Sequence, residues 1–215
     1  MQSYLVIGLG RFGTQIALEL SRLGMEVLAI DTNAELVQRV ADEVTQAVVA
    51  DGQDIGVLRA LGAKNTDCGI VAIGDDLSAS VLVTMNLKEL GVPTVVCKAR
   101  DETHRRVLEK LGADKVVIPE KEYAARLARS LASYNVLDYF QLGEGVGILE
   151  LPVPGVWQGK TLKQVDVRAK YHVNIIAIRA GGKLNTFPSP DYPFEKSDVL
   201  VMIGDSDAFA AVQRL

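Results

Sequence analysis

Between residues 3 and 118, short runs of β-branched and apolar residues alternate with longer stretches in which apolar residues recur every three or four positions. The runs SYLVIG, EVLAID, AVVAD, GIVAIG, TVVCKAR and KVVIP have the length and composition of buried strands. The segments between them, 12–23, 33–42, 54–61, 77–90 and 103–111, carry the helical period, and most stop near a glycine: Gly24, Gly62, Gly91 or Gly112. This alternation predicts an α/β fold with a parallel, doubly wound sheet, because each parallel strand needs a crossover and a helix supplies it. The stretch LGAKNTDCGIV returns as LGADKVVIP, the same helix exit used twice in one sheet and not a solenoid repeat.

After Pro119 the pattern changes. Residues 120–133 (EKEYAARLARSLAS) predict a helix, and NVLDYF reads as a second short amphipathic piece. Leu127, Leu131, Val136, Leu137, Tyr139 and Phe140 give these pieces more apolar surface than one sheet can cover, so a second copy of the chain is expected on it. From Gly145 onward GILELPVPG, NIIAIRAGG, KLNTF and DVLVMIG read as strands, with a helical stretch near 162–170 and a last helix over 207–215. The expected organisation is therefore a doubly wound domain over 1–119, crossover and dimerisation helices over 120–141, and a small α+β domain over 142–215.

Composition narrows the function. With 48% hydrophobic and 23% charged residues the chain can bury a core, and a net charge of −4 without a basic block gives no footprint for nucleic acid. No apolar run reaches about 18 residues, and MQSYLVIGLG enters a strand without a basic leader, so no membrane insertion and a cytoplasmic location are expected. Cys68 and Cys97 lie at or inside apolar runs without CxxC spacing, which predicts reduced, buried thiols.

GLGRFG matches G-x-G-x-x-G between the strand SYLVI and the helix FGTQIALELSRL, the context of a Rossmann-type nucleotide site. Gly8 serves the tight turn, Gly10 lets the backbone approach a diphosphate, and Gly13 allows helix and sheet to pack closely. Asp31 ends the second strand 18 residues beyond Gly13, where a carboxylate can accept the ribose hydroxyls of an adenosine and disfavours NADP. It can also cap the next helix, alone or shared with Asn33. Asp51 and the Gly74–Asp76 turn stand at strand ends facing the ligand side, although Asp75 or Asp76 can equally be a helix cap. Arg11 is not needed for the turn and can add a bidentate contact to a further phosphate, which favours ATP or ADP. Phe12, and Lys98 and Arg100 in TVVCKAR, complete the candidate cofactor contacts.

A dehydrogenase on such a sheet needs an acid–base group beside the nicotinamide. Neither His104 nor His172 stands in such a constellation, and there is no GxxxxGK[ST], no G-x-S-x-G and no Cys/His metal cluster. The nucleotide is expected to be sensed and not turned over. An NAD-dependent oxidoreductase is the alternative, and a redox-sensing transcription factor, lacking a DNA reader, comes third.

VIGLGRFG, EVLAID, VAIG, VLEKLGADKVVIPEKEYA, SLASYNVLDYF and VRAKYHVNIIAI together resemble the KtrA/TrkA-type cytosolic subunits of bacterial potassium transporters, built on RCK (regulator of potassium conductance) domains. The likeness covers the whole chain. It implies an N-lobe binding ATP, ADP or NAD(H), a crossover helix that makes a homodimer, a C-lobe able to bind cyclic di-AMP, and an octameric ring under a membrane subunit of the KtrB/TrkH type. By that likeness Arg11 reaches the terminal phosphate of ATP, and Glu120 binds a divalent cation (Mg or Ca). Arg168, Asn174, Ile175 and Ile176 then line the cyclic di-AMP site. Taken alone, Glu120 is a first-turn helix acid and Arg168 a solvated charge.

Overall fold

A computed structural model describes residues 2–132, 138–143 and 145–215. The chain forms two compact units, Met1–Glu122 and Tyr123–Leu215.

In the first unit, strands β1 (Ser3–Ile7), β2 (Glu26–Asp31), β3 (Gln46–Val49), β4 (Cys68–Val71), β5 (Thr94–Lys98) and β6 (Lys115–Val117) pair in parallel in the order β3-β2-β1-β4-β5-β6. Helices α1 (Arg11–Arg22), α2 (Ala34–Val40), α3 (Ile55–Ala60), α4 (Leu77–Glu89) and α5 (Glu102–Lys110) make the crossovers. Both faces of the sheet are covered, so successive residues of one strand enter different cores. Leu5 and Ile7 pack with Leu58, Val83 and Leu87, while Val6 packs with Ala17, Val27 and Val37. That double burial is why the strands read as unbroken apolar runs. The glycines after the helices are left-handed, at φ of 78° for Gly24 and Gly62, 79° for Gly91 and 89° for Gly112. A side chain is unfavourable in that conformation.

Strand order reverses between β1 and β4. The two strands leave their carboxyl ends for opposite sides, and this opens the crevice in which doubly wound sheets take ligands.

In the second unit, β7 (Asp138–Gly143), β8 (Val146–Pro152), β9 (Asn174–Ala180), β10 (Lys183–Asn185) and β11 (Val199–Asp205) form an antiparallel sheet in the order β10-β9-β11-β8-β7. Helix α6 (Pro119–Ala132) runs across the division between the units, and α7 (Leu162–Val165), α8 (Val167–Tyr171) and α9 (Ser206–Gln213) complete the fold. Leu149, Leu151, Trp157, Phe194, Leu200 and Phe209 belong to its core.

Two expectations are corrected here. Residues 138–140 of NVLDYF lie in strand β7, not in an amphipathic helix, and 133–137, including Val136 and Leu137, lie outside the described residues. The strand wins because it pairs with β8 and sends successive aromatics to opposite faces. Tyr139 meets Phe209 edge-on at 6.3 Å, while the Arg126 guanidinium lies 3.8 Å over the Phe140 ring. Tyr139 is thus covered by its own unit and does not call for a partner. The stretch near 162–170 is also two short helices, broken at Asp166, whose φ is +51°.

Candidate nucleotide site

The β1–α1 turn is shaped by two of its three glycines. Gly8 has φ +92°, and a Cβ there would stand 3.1–3.4 Å from Ile73 and the Ala72 backbone. A Cβ on Gly13 would fall 1.8 Å from the Gly8 carbonyl oxygen, so α1 can start only where residue 13 has no side chain. Gly10 differs. A Cβ there would meet nothing within 4 Å, so nothing in this chain requires a glycine at that position.

Helix caps sharpen the contrast. Asn33, Asp54, Asp76 and Asp101 each accept a backbone N–H with their side chains at the starts of α2, α3, α4 and α5. Gly10 precedes α1 without a side-chain cap, leaving first-turn N–H groups and the positive end of the helix dipole open to an anion.

Asp31 sits at the end of β2 with both carboxylate oxygens engaged. Oδ2 accepts the Leu9 N–H at 2.6 Å, tying β2 to the glycine turn, and Oδ1 accepts the Asn33 N–H at 2.8 Å. Asn33 itself caps α2 by accepting from Glu35. Each carboxylate oxygen has lone pairs left after one such bond, so Asp31 can still accept ribose hydroxyls.

A cleft of about 270 Å³ opens at these strand ends, lined among others by Gly8, Asp31, Asp51, Gly52, Gln53 and Asp76. Asp51 accepts the Gln53 N–H at 2.9 Å through Oδ1. Thr32, Gly52, Gln53, Ile73, Ala79 and Val83 are wall residues that motif reasoning did not find. Gly52 had a signal, standing directly after a strand-end acid.

Lys98, Glu120, Phe12 and Gly74 meet beside the cleft. The Lys98 chain crosses Gly74, where a Cβ would lie 3.3 Å from its Cε, and its ammonium stands 6.0 Å over the Phe12 ring. That ammonium pairs with Glu120 at 2.8 Å. The hydrogen bond from Lys98, with a smaller contribution from the Arg11 charge, holds the Glu120 carboxyl below its usual range. Arg11 is exposed at the first position of α1. Arg100 is not gathered into the cleft lining: its guanidinium pairs with Asp101 at 3.1 Å.

His104 is 1% exposed, its Nδ1 accepting the Arg100 N–H at 3.4 Å and its Nε2 meeting Ser80 Oγ at 3.1 Å. Burial lowers its pKa. Cys97 is fully buried against Thr84, and burial raises its thiol to about 11, which makes it inert. Cys68 and Cys97 are both free.

The second unit has a cleft of about 610 Å³ that brings together Arg168, Asn174, Ile175 and Ile176 with Phe187 and Pro188 of the proline-rich loop. Arg168 Nε donates to Asn174 Oδ1 at 2.6 Å.

Among the described residues no group of three or more His, Cys, Asp or Glu side chains could hold a metal, and no helix is long and apolar enough to cross a membrane.

The TrkA-N domain model matches residues 4–119 and the TrkA-C domain model residues 147–215. Ktr system potassium uptake protein C of Bacillus subtilis (strain 168) is 42% identical over 203 residues, 94% of this chain and 92% of its own. Ktr system potassium uptake protein A of Vibrio alginolyticus is 34% identical over 209 residues, 97% of this chain and 95% of its own. Among solved structures, the GsuK channel aligns with all of this chain and 39% of its own, with a TM-score of 0.71 at 20% identity, a likeness of fold.

Proposed function

We propose a function from one premise: this chain belongs to the family of Ktr and TrkA potassium uptake proteins, carrying TrkA-N and TrkA-C domains in that order. The chain is a cytoplasmic, nucleotide-sensing regulatory subunit that gates a membrane potassium transporter subunit of the KtrB/TrkH type. The observation that carries this is the glycine turn: α1 starts uncapped beside Gly10, where a side chain would meet no protein atom. Phosphates fit there, against free N–H groups, with the ribose on Asp31 and the base towards Asp51–Gln53. Phe12 and Gly74 border the phosphates, Lys98 and Arg11 add positive charge to them, and Arg100, paired with Asp101, is the least suited of the candidates.

The ligand is ATP or ADP, with NAD(H) as the competitor for the same cleft. Among the described residues His104 is buried on Ser80, and Lys98 and Glu120 beside the cleft are held together as an ion pair, which favours a nucleotide that is bound and not turned over. Gating then requires that ATP and ADP differ in affinity between two conformations, because equal affinity shifts nothing.

A second copy covers α6. Tyr123, Leu127 and Leu131, spaced by four, are 66%, 46% and 76% exposed and form one apolar stripe, which supports the homodimer and, through it, the octameric ring. The divalent cation implied for Glu120 does not fit the donors of one chain. Its carboxylate is held by an ammonium, and a cation would need Lys98 to leave and further ligands to arrive. Cyclic di-AMP is assigned to the cleft at Arg168 and Asn174–Ile176, whose size suits a small ligand.

Calorimetry against ATP, ADP, NAD, NADH and cyclic di-AMP tests this function. Saturable adenine nucleotide binding without turnover is expected. Absence of binding, or hydride transfer to a substrate, would overturn it.

A further inference from the structure

Helix α4 presents Asp76, Ala79 and Val83 to the nucleotide cleft. One turn further along the same face stands Asn86, 6% exposed. An amide is an expensive residue there: asparagine is a weaker helix former than leucine, and a buried amide is unfavourable unless it is hydrogen-bonded. It is bonded to the cleft wall. Asn86 Nδ2 donates to the Gln53 carbonyl at 2.9 Å and approaches the Gly52 carbonyl at 3.4 Å.

The 51–54 loop is therefore tied on several sides. Gly52 is pressed against β1, where an added Cβ would lie 2.8 Å from Ile7 Cγ2. The Ala50 N–H donates to the Asp31 carbonyl on β2, and Asp51 folds back onto the Gln53 N–H. Asn86 is the tether from α4. It occupies the carbonyl side of Gly52 and Gln53, while Asp51 lines the cleft with Oδ1 taken by Gln53 and Oδ2 without a hydrogen-bond partner among the described residues.

We infer that Asn86 is a positioning residue that holds the 51–54 loop against the base of the bound nucleotide and so sets the preference for adenine over guanine. The inference rests on the nucleotide reading of the cleft. Phosphates on the α1 turn and ribose on Asp31 direct the base to this loop. A free carboxylate oxygen there accepts from the amino group of adenine and repels the carbonyl oxygen at the same place in guanine. A loop no longer fixed from α4 cannot hold that oxygen in register.

The test uses the full-length protein with Asn86→Leu, which removes both amide hydrogen bonds while adding some volume and helix preference, and the near-isosteric Asn86→Asp, which sets a carboxylate against two carbonyls. Kd is measured for AMP, ADP, ATP and GTP, with ligand-free Tm recorded beside it. Both variants should weaken AMP, ADP and ATP by one common factor, about tenfold, and the ATP-over-GTP preference should narrow with it. An unchanged ATP-to-GTP ratio in a folded variant overturns the inference, since a merely structural role lowers Tm without touching that ratio. Should neither variant fold, hydrogen exchange of the Asn86 side-chain amide in the wild-type protein decides: slowing on addition of AMP supports the tether, and no change overturns it. Failure of the wild-type protein to bind any adenine nucleotide would instead sink the nucleotide reading itself.

Discussion

Replacing Asp31 by asparagine separates two jobs that one carboxylate performs. Its two oxygens each accept a backbone N–H, from Leu9 at 2.6 Å and Asn33 at 2.8 Å. An amide offers only one oxygen, so one N–H must face an NH2 group. The Leu9 bond is part-buried and the Asn33 bond exposed, so the amide oxygen is expected to keep Leu9 and leave Asn33 to water. Losing charge assistance on the first bond and geometry on the second costs about 1–2 kcal/mol of stability, the low end for an unmade hydrogen bond. At about 2–4 °C per kcal/mol for a chain of this size, Tm falls by several degrees. Binding suffers separately: a charged hydrogen bond to a ribose hydroxyl contributes about 1.5–3 kcal/mol, or roughly 10–150-fold in Kd. Calorimetry with ATP and 2′-deoxy-ATP on both proteins isolates that contact. The wild-type protein should discriminate strongly between the two ligands and Asp31→Asn only weakly. Equal discrimination by both would show that Asp31 merely holds the loop, and an unshifted Tm would refute the carboxylate geometry.

The two outer glycines and the middle one should part company. Gly13→Ala places Cβ 1.8 Å from the Gly8 oxygen and should destabilise the first unit by several kcal/mol, whereas Gly10→Ala should leave ligand-free Tm within about 1 °C and weaken ATP at least tenfold, readable by thermal melts with and without ATP. Arg11→Ala should cost ATP more than ADP and ADP more than AMP in calorimetric affinity; equal losses would reduce Arg11 to a loop residue. His104 is buried with a lowered pKa, so the unfolded chain binds its proton first as pH falls through about 6.5. Its contribution is therefore complete above that pH and shrinks below it, with a slope of at most about 1.4 kcal/mol per pH unit. Chemical denaturation between pH 5 and 7.5 should show a flatter profile for His104→Gln, and superimposable slopes would remove His104 from the acid response.

Much of the first unit was legible because its signals are local. A strand buried on both faces is an apolar run, and a helix that ends in a left-handed residue leaves a glycine, as at Gly24 and Gly112. DYFQLG was not legible: a short apolar segment suits helix and strand alike, and only pairing with β8 decides between them. The contacts that shape the site are long-range as well. Leu9 and Asp31 are 22 positions apart, as are Lys98 and Glu120, and Asn86 reaches a loop 33 positions earlier, so no spacing rule announces them. The strongest clue to the site is nevertheless written in the sequence, as a cap that is missing. Asn33, Asp54, Asp76 and Asp101 stand at the starts of four successive helices, and Gly10 stands where α1 calls for the same kind of residue. Among the five crossover helices of the first unit α1 alone lacks a side-chain cap, at a cost for glycine of roughly a few tenths of a kcal/mol. Neither turn geometry nor packing demands a glycine at position 10, so the open end of α1 supports the proposal that a phosphate group sits there.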